Sequence, residues 1–233
     1  MKRRPIVAID GPAGAGKTTV SQRVAEELGY VRLDTGALYR CVALAAARRG
    51  VDWSDQDGVT QVAEDLAKRR AIRFQALGDG NQKVLVDAED VSVQIRDQAM
   101  GQGASRVSAI PGVRAALLDM QRVQASEGGV VLEGRDIGTV VFPDAEAKFF
   151  LTASPQVRAE RRYQELQERG QTAELDEIVR EVKERDSRDS QRPVAPLKQA
   201  DDAELVDSSN LDIDAVVSRI VDRVRRIEAE LGV

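Results

Sequence analysis

Short apolar runs alternate along this chain with longer amphipathic stretches, and glycines punctuate the joins. PIVAID (5–10) reads as a buried strand that stops at Asp10 in a Gly-rich turn, and KTTVSQRVAEELG (17–29) as an amphipathic helix closed by Gly29. YVRLD (30–34) is a second short strand, followed by the helix GALYRCVALAAARRG (36–50), again closed by glycine. The pattern predicts a third helix over 55–69, then strand-like IRFQA (72–76) and KVLVD (83–87) on either side of LGDGNQ, a hairpin signal. Helices are expected around 97–108 and 112–126, with strands at GVVLE (129–133) and AKFFL (147–151). Helical segments 155–169 and 174–191, a strand AELVDSS (203–209) and a helix over 213–231 complete the chain.

Strands that alternate with helices imply an α/β fold on a mostly parallel sheet with right-handed connections. The hairpin at 72–87 and the helical pair at 155–191 break the alternation and read as excursions from that core. No strand order follows from the pattern. With 233 residues, 42% hydrophobic and 31% charged, the chain can form one large domain or two small ones around a sizeable core. The basic prefix of MKRRPIVAIDG leads into an apolar run too short for a signal peptide, and no stretch approaches a membrane span. The cytoplasm is therefore the expected location. Cys41, within LYRCVALAAA, reads as a small core residue, and a single thiol excludes an intrachain disulfide.

Charge and composition narrow the chemistry. A net charge of −5 gives no support to a general nucleic-acid or membrane-surface role, and 3% aromatic content argues against a single-strand-binding ATPase. Yet 27 Arg stand against 7 Lys, which is either a composition bias or a demand for planar forks that grip carboxylate and phosphate oxygens. The chain has no histidine, so the usual general base, His-dependent triads and most zinc sites are absent.

GPAGAGKT, Gly11 to Thr18, fits G-x-x-x-x-G-K-[ST] at every fixed position, between a predicted strand and a predicted helix. Gly11, Pro12, Ala13, Gly14, Ala15 and Gly16 would cradle phosphates with backbone N–H groups at a helix N-terminus. Lys17 would reach the β/γ-phosphates, Thr18 would ligate Mg²⁺, and Thr19 would stand near the α-phosphate. The chain thus binds a nucleoside triphosphate, as a kinase, an ATPase or a switch. A GTPase should offer N-K-x-D, but neither Asn81 nor Asn210 begins that motif. The D-x-x-G match at Asp55–Gly58 follows no strand and falls at a helix start.

A kinase acting on a hydroxyl usually needs a base; one acting on a phosphate needs charge clamps instead. An Arg-rich chain without histidine suits the second. LDTGALYR places Thr35 at an expected N-cap and Arg40 one turn into the helix. EGRDIGTVVFPDA brings Gly134, Arg135 and Asp136 to the carboxyl end of a strand, where open α/β sheets bind ligands. Asp34 and Asp136 are each either a capping or turn aspartate or part of a site. KERDSRDSQRP (183–193) sets Arg185, Arg188 and Arg192 at helical spacing with Asp186 and Asp189 between them. On its own it is a solvated, salt-bridged face or a set of fingers for an anion.

DTGALYR, ASRVSAIPGVR (104–114), EGRDIGTVVFPDA, ERDSRDSQRPVAPL and the P-loop together resemble the bacterial cytidylate kinase family, in order through nearly the whole chain. The resemblance implies ATP-dependent phosphorylation of CMP and dCMP by a monomer with the P-loop nucleoside-monophosphate kinase fold. That fold has a mostly parallel sheet flanked by helices, an antiparallel insert in the monophosphate-binding region and a helical lid. The implied division is a core of about 1–34, 103–152 and 194–233, an insert over 35–102 and a lid over 153–193. By the same resemblance, Lys17, Arg135 and Arg185 are catalytic, and Thr35, Arg40, Arg135 and Arg192 hold the CMP phosphate. Ser105, Arg114 and Asp136 read cytosine, while Arg185 and Asp189 contact the sugar. Arg158, Arg161, Arg162 and Arg188 belong to the lid, and Glu133, where the family often has aspartate, backs the Mg²⁺ site with Thr18. KERDSRDSQRP is then the closing arm of the site, its aspartates holding the arginines in position. A P-loop kinase for UMP, AMP or a shikimate-type acceptor, or a slow nucleotide switch, remains the alternative.

Overall fold

A computed structural model describes residues 3–77, 82–168 and 170–233. The first half runs β1 (Ile6–Asp10), α1 (Lys17–Leu28), β2 (Val31–Asp34), α2 (Thr35–Arg48), α3 (Gln56–Lys68), β3 (Ile72–Ala76), β4 (Gln82–Val86) and β5 (Glu89–Asp90). The second runs α4 (Gln98–Val107), α5 (Pro111–Gln124), β6 (Val130–Gly134), β7 (Ala147–Thr152), α6 (Pro155–Glu168), α7 (Leu175–Ser190), β8 (Glu204–Asp207) and α8 (Ile213–Leu231). Each predicted element is present, with no end moved by more than two residues. The two-residue β5, a 3₁₀ turn at Gln94–Arg96 and a π-helical turn at Ile137–Val141 carry no periodic signal and are additions. The centre of the LGDGNQ turn (residues 78–81), the end of the predicted helix at 169 and the first two residues of the basic prefix lie outside the described residues.

The main sheet is parallel with strand order β2-β6-β1-β7-β8, and β3-β4-β5 form a separate antiparallel sheet. β1 is central and buried on both faces, which is why its sequence is continuously apolar rather than alternating. Val7 and Ile9 pack with Phe149, Leu151 and the apolar stripes of α1 and α8 on one face. Ile6 and Ala8 pack with Leu33, Leu132 and Ile137 on the other. A third cluster joins α2, α3 and the antiparallel sheet to Ala104, Val107, Val113 and Leu117 of α4 and α5. The α6–α7 pair has only a small core of its own, Ala159, Leu166 and Ile178. Cys41 is fully buried in the third cluster, and burial pushes its thiol up to about 12, as befits a packing residue.

Two helix starts bear on the sequence reading. Thr35 is not the cap of α2: the Asp34 carboxylate accepts from the Ala37 N–H at 3.2 Å, and Thr35 turns inward to donate to the Glu133 carbonyl at 2.7 Å. An aspartate acceptor at a helix N-terminus satisfies an orphan N–H and the helix dipole together. Asp55 caps α3 by accepting from the Gly58 N–H at 3.0 Å, so the D-x-x-G match is a helix cap.

Candidate active site

The parallel register brings three strand ends to one edge, with Ile9 and Asp34 flanking Glu133, and Asp10 beside Gly134. The P-loop leaves β1 at Gly11, whose Cα faces the Leu151 carbonyl so closely that a Cβ would lie 1.9 Å from that oxygen. Gly16 caps α1 with φ 86°, a left-handed conformation that costs glycine little. Between them the loop wraps the N-terminus of α1, where free N–H groups favour anions.

Lys17 is buried, and its ammonium donates to the Pro12 carbonyl at 2.7 Å. Burial and the Arg135 guanidinium pull its pKa well below the ordinary lysine value, while Glu133 and Asp10 oppose the drop. Thr18 donates to one Glu133 oxygen at 2.9 Å, and Ser21, one turn along α1, donates to the other at 3.0 Å. Burial, then the nearby Asp34, raises the Glu133 carboxyl above its usual range; Arg32, 3.9 Å away, and Lys17 counter this. No cluster of three or more His, Cys, Asp or Glu side chains among the described residues could hold a metal alone. A hydroxyl backed by one carboxylate beside a phosphate cradle nevertheless suits Mg²⁺, which keeps waters and takes phosphate oxygens as ligands.

A cleft of about 1010 Å³ runs from this loop past the ends of β2 and β6 to α4, with α6 and α7 along its far wall. Arg114 donates to the Asp136 carboxylate and, at 3.2 Å, to the Ser108 carbonyl, and lies 5.6 Å over the Tyr39 ring. Ser105 faces the same corner with a buried hydroxyl that has no hydrogen-bond partner. Arg40 donates to the Ile95 carbonyl at 3.0 Å. Asp189 accepts from Arg135 at 2.9 Å through one oxygen and from Arg192 through the other. Burial alone would raise Asp189, but Arg135 and Arg192 outweigh it and hold the carboxyl below its usual range. Burial, then Arg135, pulls the Arg185 guanidinium down to about 10, and its buried Nε is unpartnered.

The structure separates the α6 and α7 arginines. Arg158 donates to the Ala13 carbonyl of the P-loop at 3.0 Å, to Ala153 at 2.8 Å, and with both terminal nitrogens to Asp186. Arg161 instead holds Ser208, with bonds of 3.2 Å to its hydroxyl and 2.8 Å to its carbonyl. Arg162 pairs with Glu165 at 3.3 Å, and the exposed Arg188 lies at the cleft wall.

The arrangement joins a phosphate cradle, an arginine cluster and a buried donor–acceptor corner in one cleft. The family model described as Cytidylate kinase matches residues 7–226. This chain belongs to the cytidylate kinase family. It is 49% identical over 224 residues to the cytidylate kinase of Pelotomaculum thermopropionicum, covering 96% of this chain and 97% of that one. It is 50% identical over 221 residues to the cytidylate kinase of Syntrophotalea carbinolica, covering 95% and 92%. A crystal structure of an uncharacterized protein from Eubacterium ventriosum superposes with TM-score 0.50 at 12% identity, covering 95% and 99%, a likeness of fold alone.

Within this cytidylate kinase family member, Thr35, Arg40, Ser105, Arg114, Glu133, Arg135, Asp136, Arg185, Asp189 and Arg192 all line the cleft with Ala13 through Thr19. Gly11 and Pro12 do not; the Pro12 carbonyl instead accepts from the Lys17 ammonium. Sequence reasoning missed Ser21 and Tyr39. Ser21 stands three residues beyond Thr18 on the same helical face, a spacing that could have exposed it. Tyr39 merges with the apolar run of α2 and carries no separate signal.

Proposed function

We propose that this chain transfers the γ-phosphoryl group of ATP to CMP or dCMP, giving ADP with CDP or dCDP, and that it works as a monomer with an insert over 35–102 and a lid over 153–193. The observation that carries the reading is the buried Arg114–Asp136 pair with the unpartnered Ser105 hydroxyl, set across an arginine cluster from the P-loop. Such a corner offers an acceptor and donors of the polarity cytosine requires.

The P-loop N–H groups and Lys17 hold the triphosphate, and Arg158, through its bond to Ala13, keeps the loop in shape. Thr18, with Glu133 behind it, would hold Mg²⁺, which when bound supplies charge neutralisation across the β- and γ-phosphates. Arg40, Arg135 and Arg192 orient the CMP phosphate, with Thr35 beside them. An ionised oxygen of that phosphate attacks the γ-phosphorus as the bond to the β,γ-bridging oxygen breaks; the nucleophile needs no base, which fits a chain without histidine. Arg185 spans the sugar and the transferring group, and Asp189 keeps Arg135 and Arg192 apart. A coupled assay with ATP·Mg²⁺ and CMP, dCMP, UMP, AMP or shikimate tests the reading. CDP and dCDP should form far faster than any other product; preferential use of UMP, AMP or shikimate would overturn it.

A further inference from the structure

Asp10 ends β1, one residue before the P-loop, and is 4% exposed. A buried carboxylate here must find donors, and the two it finds lie on another strand's exit. One oxygen accepts from the Ile137 N–H at 2.8 Å and the other from the Gly138 N–H at 2.7 Å. These amides directly follow Arg135 and Asp136. They open the π-helical turn Ile137–Val141, a rare conformation that local sequence does not enforce. A Cβ on Gly138 would lie 3.1 Å from the Lys148 stem, so Lys148 packs closely against the same turn. Lys148 is itself fixed by the Pro143 carbonyl and by Asp202 at 2.7 Å.

We propose that Asp10 is a positioning residue: it ties the P-loop strand to the backbone of the Arg135–Asp136 corner and so sets acceptor binding and base choice. The inference rests on the monophosphate-kinase reading above. Asp10 touches no reacting atom; it acts through the two amides. Both must be accepted at once, which a carboxylate does and a carboxamide cannot, since its NH₂ would face an N–H. Asp136 and Lys17 are the charged groups whose fields act on the carboxylate. Exchange of its charge therefore bears on both substrates' sites, but the hydrogen bonds bear on the acceptor side alone.

The test compares wild type with Asp10→Asn and with Asp10→Ala, which removes both acceptor oxygens. In wild type the Ile137 and Gly138 amides should exchange slowly with solvent, and in Asp10→Asn at least one should lose protection. With the monophosphate that the wild type prefers, Asp10→Asn should raise the acceptor KM about ten-fold or more and narrow the acceptor preference. The ATP KM should change far less. Asp10→Ala should move the same quantities in the same direction. If the wild type prefers an acceptor other than CMP, the substrate reading fails while the Asp10 comparison is still read with that acceptor. Unchanged amide protection, or a lower melting temperature with acceptor KM and preference intact, would show Asp10 to be only a structural carboxylate and overturn the proposal.

Discussion

Replacing Asp136 by asparagine should loosen the choice between cytosine and uracil. Cytosine presents an amino donor and a ring-nitrogen acceptor where uracil presents a carbonyl and an N–H. Asp136 is 4% exposed and Arg114 8%, so water cannot rescue a mispaired contact in this corner. Arg114 occupies one Asp136 oxygen, which leaves the other to accept from the substrate. With UMP bound, an acceptor meets an acceptor and a donor meets a donor. Each buried mispairing costs about 1–3 kcal/mol, so wild type should prefer CMP by roughly 2–6 kcal/mol, or about 30-fold to more than 10⁴-fold in kcat/KM. Asp136→Asn keeps one oxygen for Arg114 and turns an amide N–H₂ toward the uracil carbonyl, removing one of the two mismatches. The CMP/UMP ratio should then shrink by about 10- to 100-fold. Removing a buried charge partner can cost about 3–5 kcal/mol of stability, softened here because Arg114 keeps its bond to Ser108. Melting temperature must therefore be measured beside kcat/KM for CMP, dCMP, UMP and AMP. Arg40→Ala is the control: a phosphate contact carries no base information, so CMP and UMP should suffer about equally. A folded Asp136→Asn enzyme with the wild-type ratio would refute the reasoning.

The other predictions address the cradle, the closing arm and the buried carboxylate. Lys17→Ala should lower kcat by orders of magnitude with the fold intact, because it removes charge stabilisation that grows in the transition state; near-wild-type turnover in a folded variant would count against Lys17. CMP with a non-hydrolysable ATP analogue should protect residues 155–192 from hydrogen exchange far more than either ligand alone, and unchanged protection would make that segment a solvated face. Burial raises the Asp10 carboxyl from 3.8 to about 6, with the Ile137 and Gly138 N–H groups only partly opposing it. The folded chain thus keeps a proton that the unfolded chain has lost, so this contribution to stability is complete below about pH 4 and fades as pH rises through about 6. The stability difference between wild type and Asp10→Asn in urea should fall across that window, and a difference flat with pH would contradict it.

Local rules carried far where the chain is locally determined. Gly29, Gly50 and the motif Gly11–Thr18 marked breaks that the structure keeps, because each glycine satisfies its own turn. Long-range pairing escaped them. Nothing within β6 says that it lies between β2 and β1, and Asp10 looked like the polar end of an apolar run until Ile137 and Gly138 appeared beside it. The π-helical turn was invisible for the same reason, since its support comes from a strand more than a hundred residues away. Asp34 and Thr35 exchanged roles because Thr35 prefers a distant carbonyl on β6 to its own helix terminus. The arginines of KERDSRDSQRP also divide by tertiary partners: Arg185 and Arg192 are drawn into the cleft, whereas Arg188 remains exposed.

The carboxylates threaded among those arginines govern how fast an anion can arrive. Asp189 serves Arg135 and Arg192, Asp186 serves Arg158, and Asp136 serves Arg114, so much of the cluster's field is cancelled within a few ångströms. On a chain of net charge −5, little long-range attraction is left to draw polyanions toward the cleft. Association with CMP should therefore run at rates typical of unsteered encounters and vary only weakly with ionic strength. Inorganic phosphate and other small anions gain little from bulk attraction and lack a base to fill the Arg114–Asp136 corner. Selectivity against the crowded anion pool of a cell is thus set by contact geometry after arrival, at the expense of capture speed.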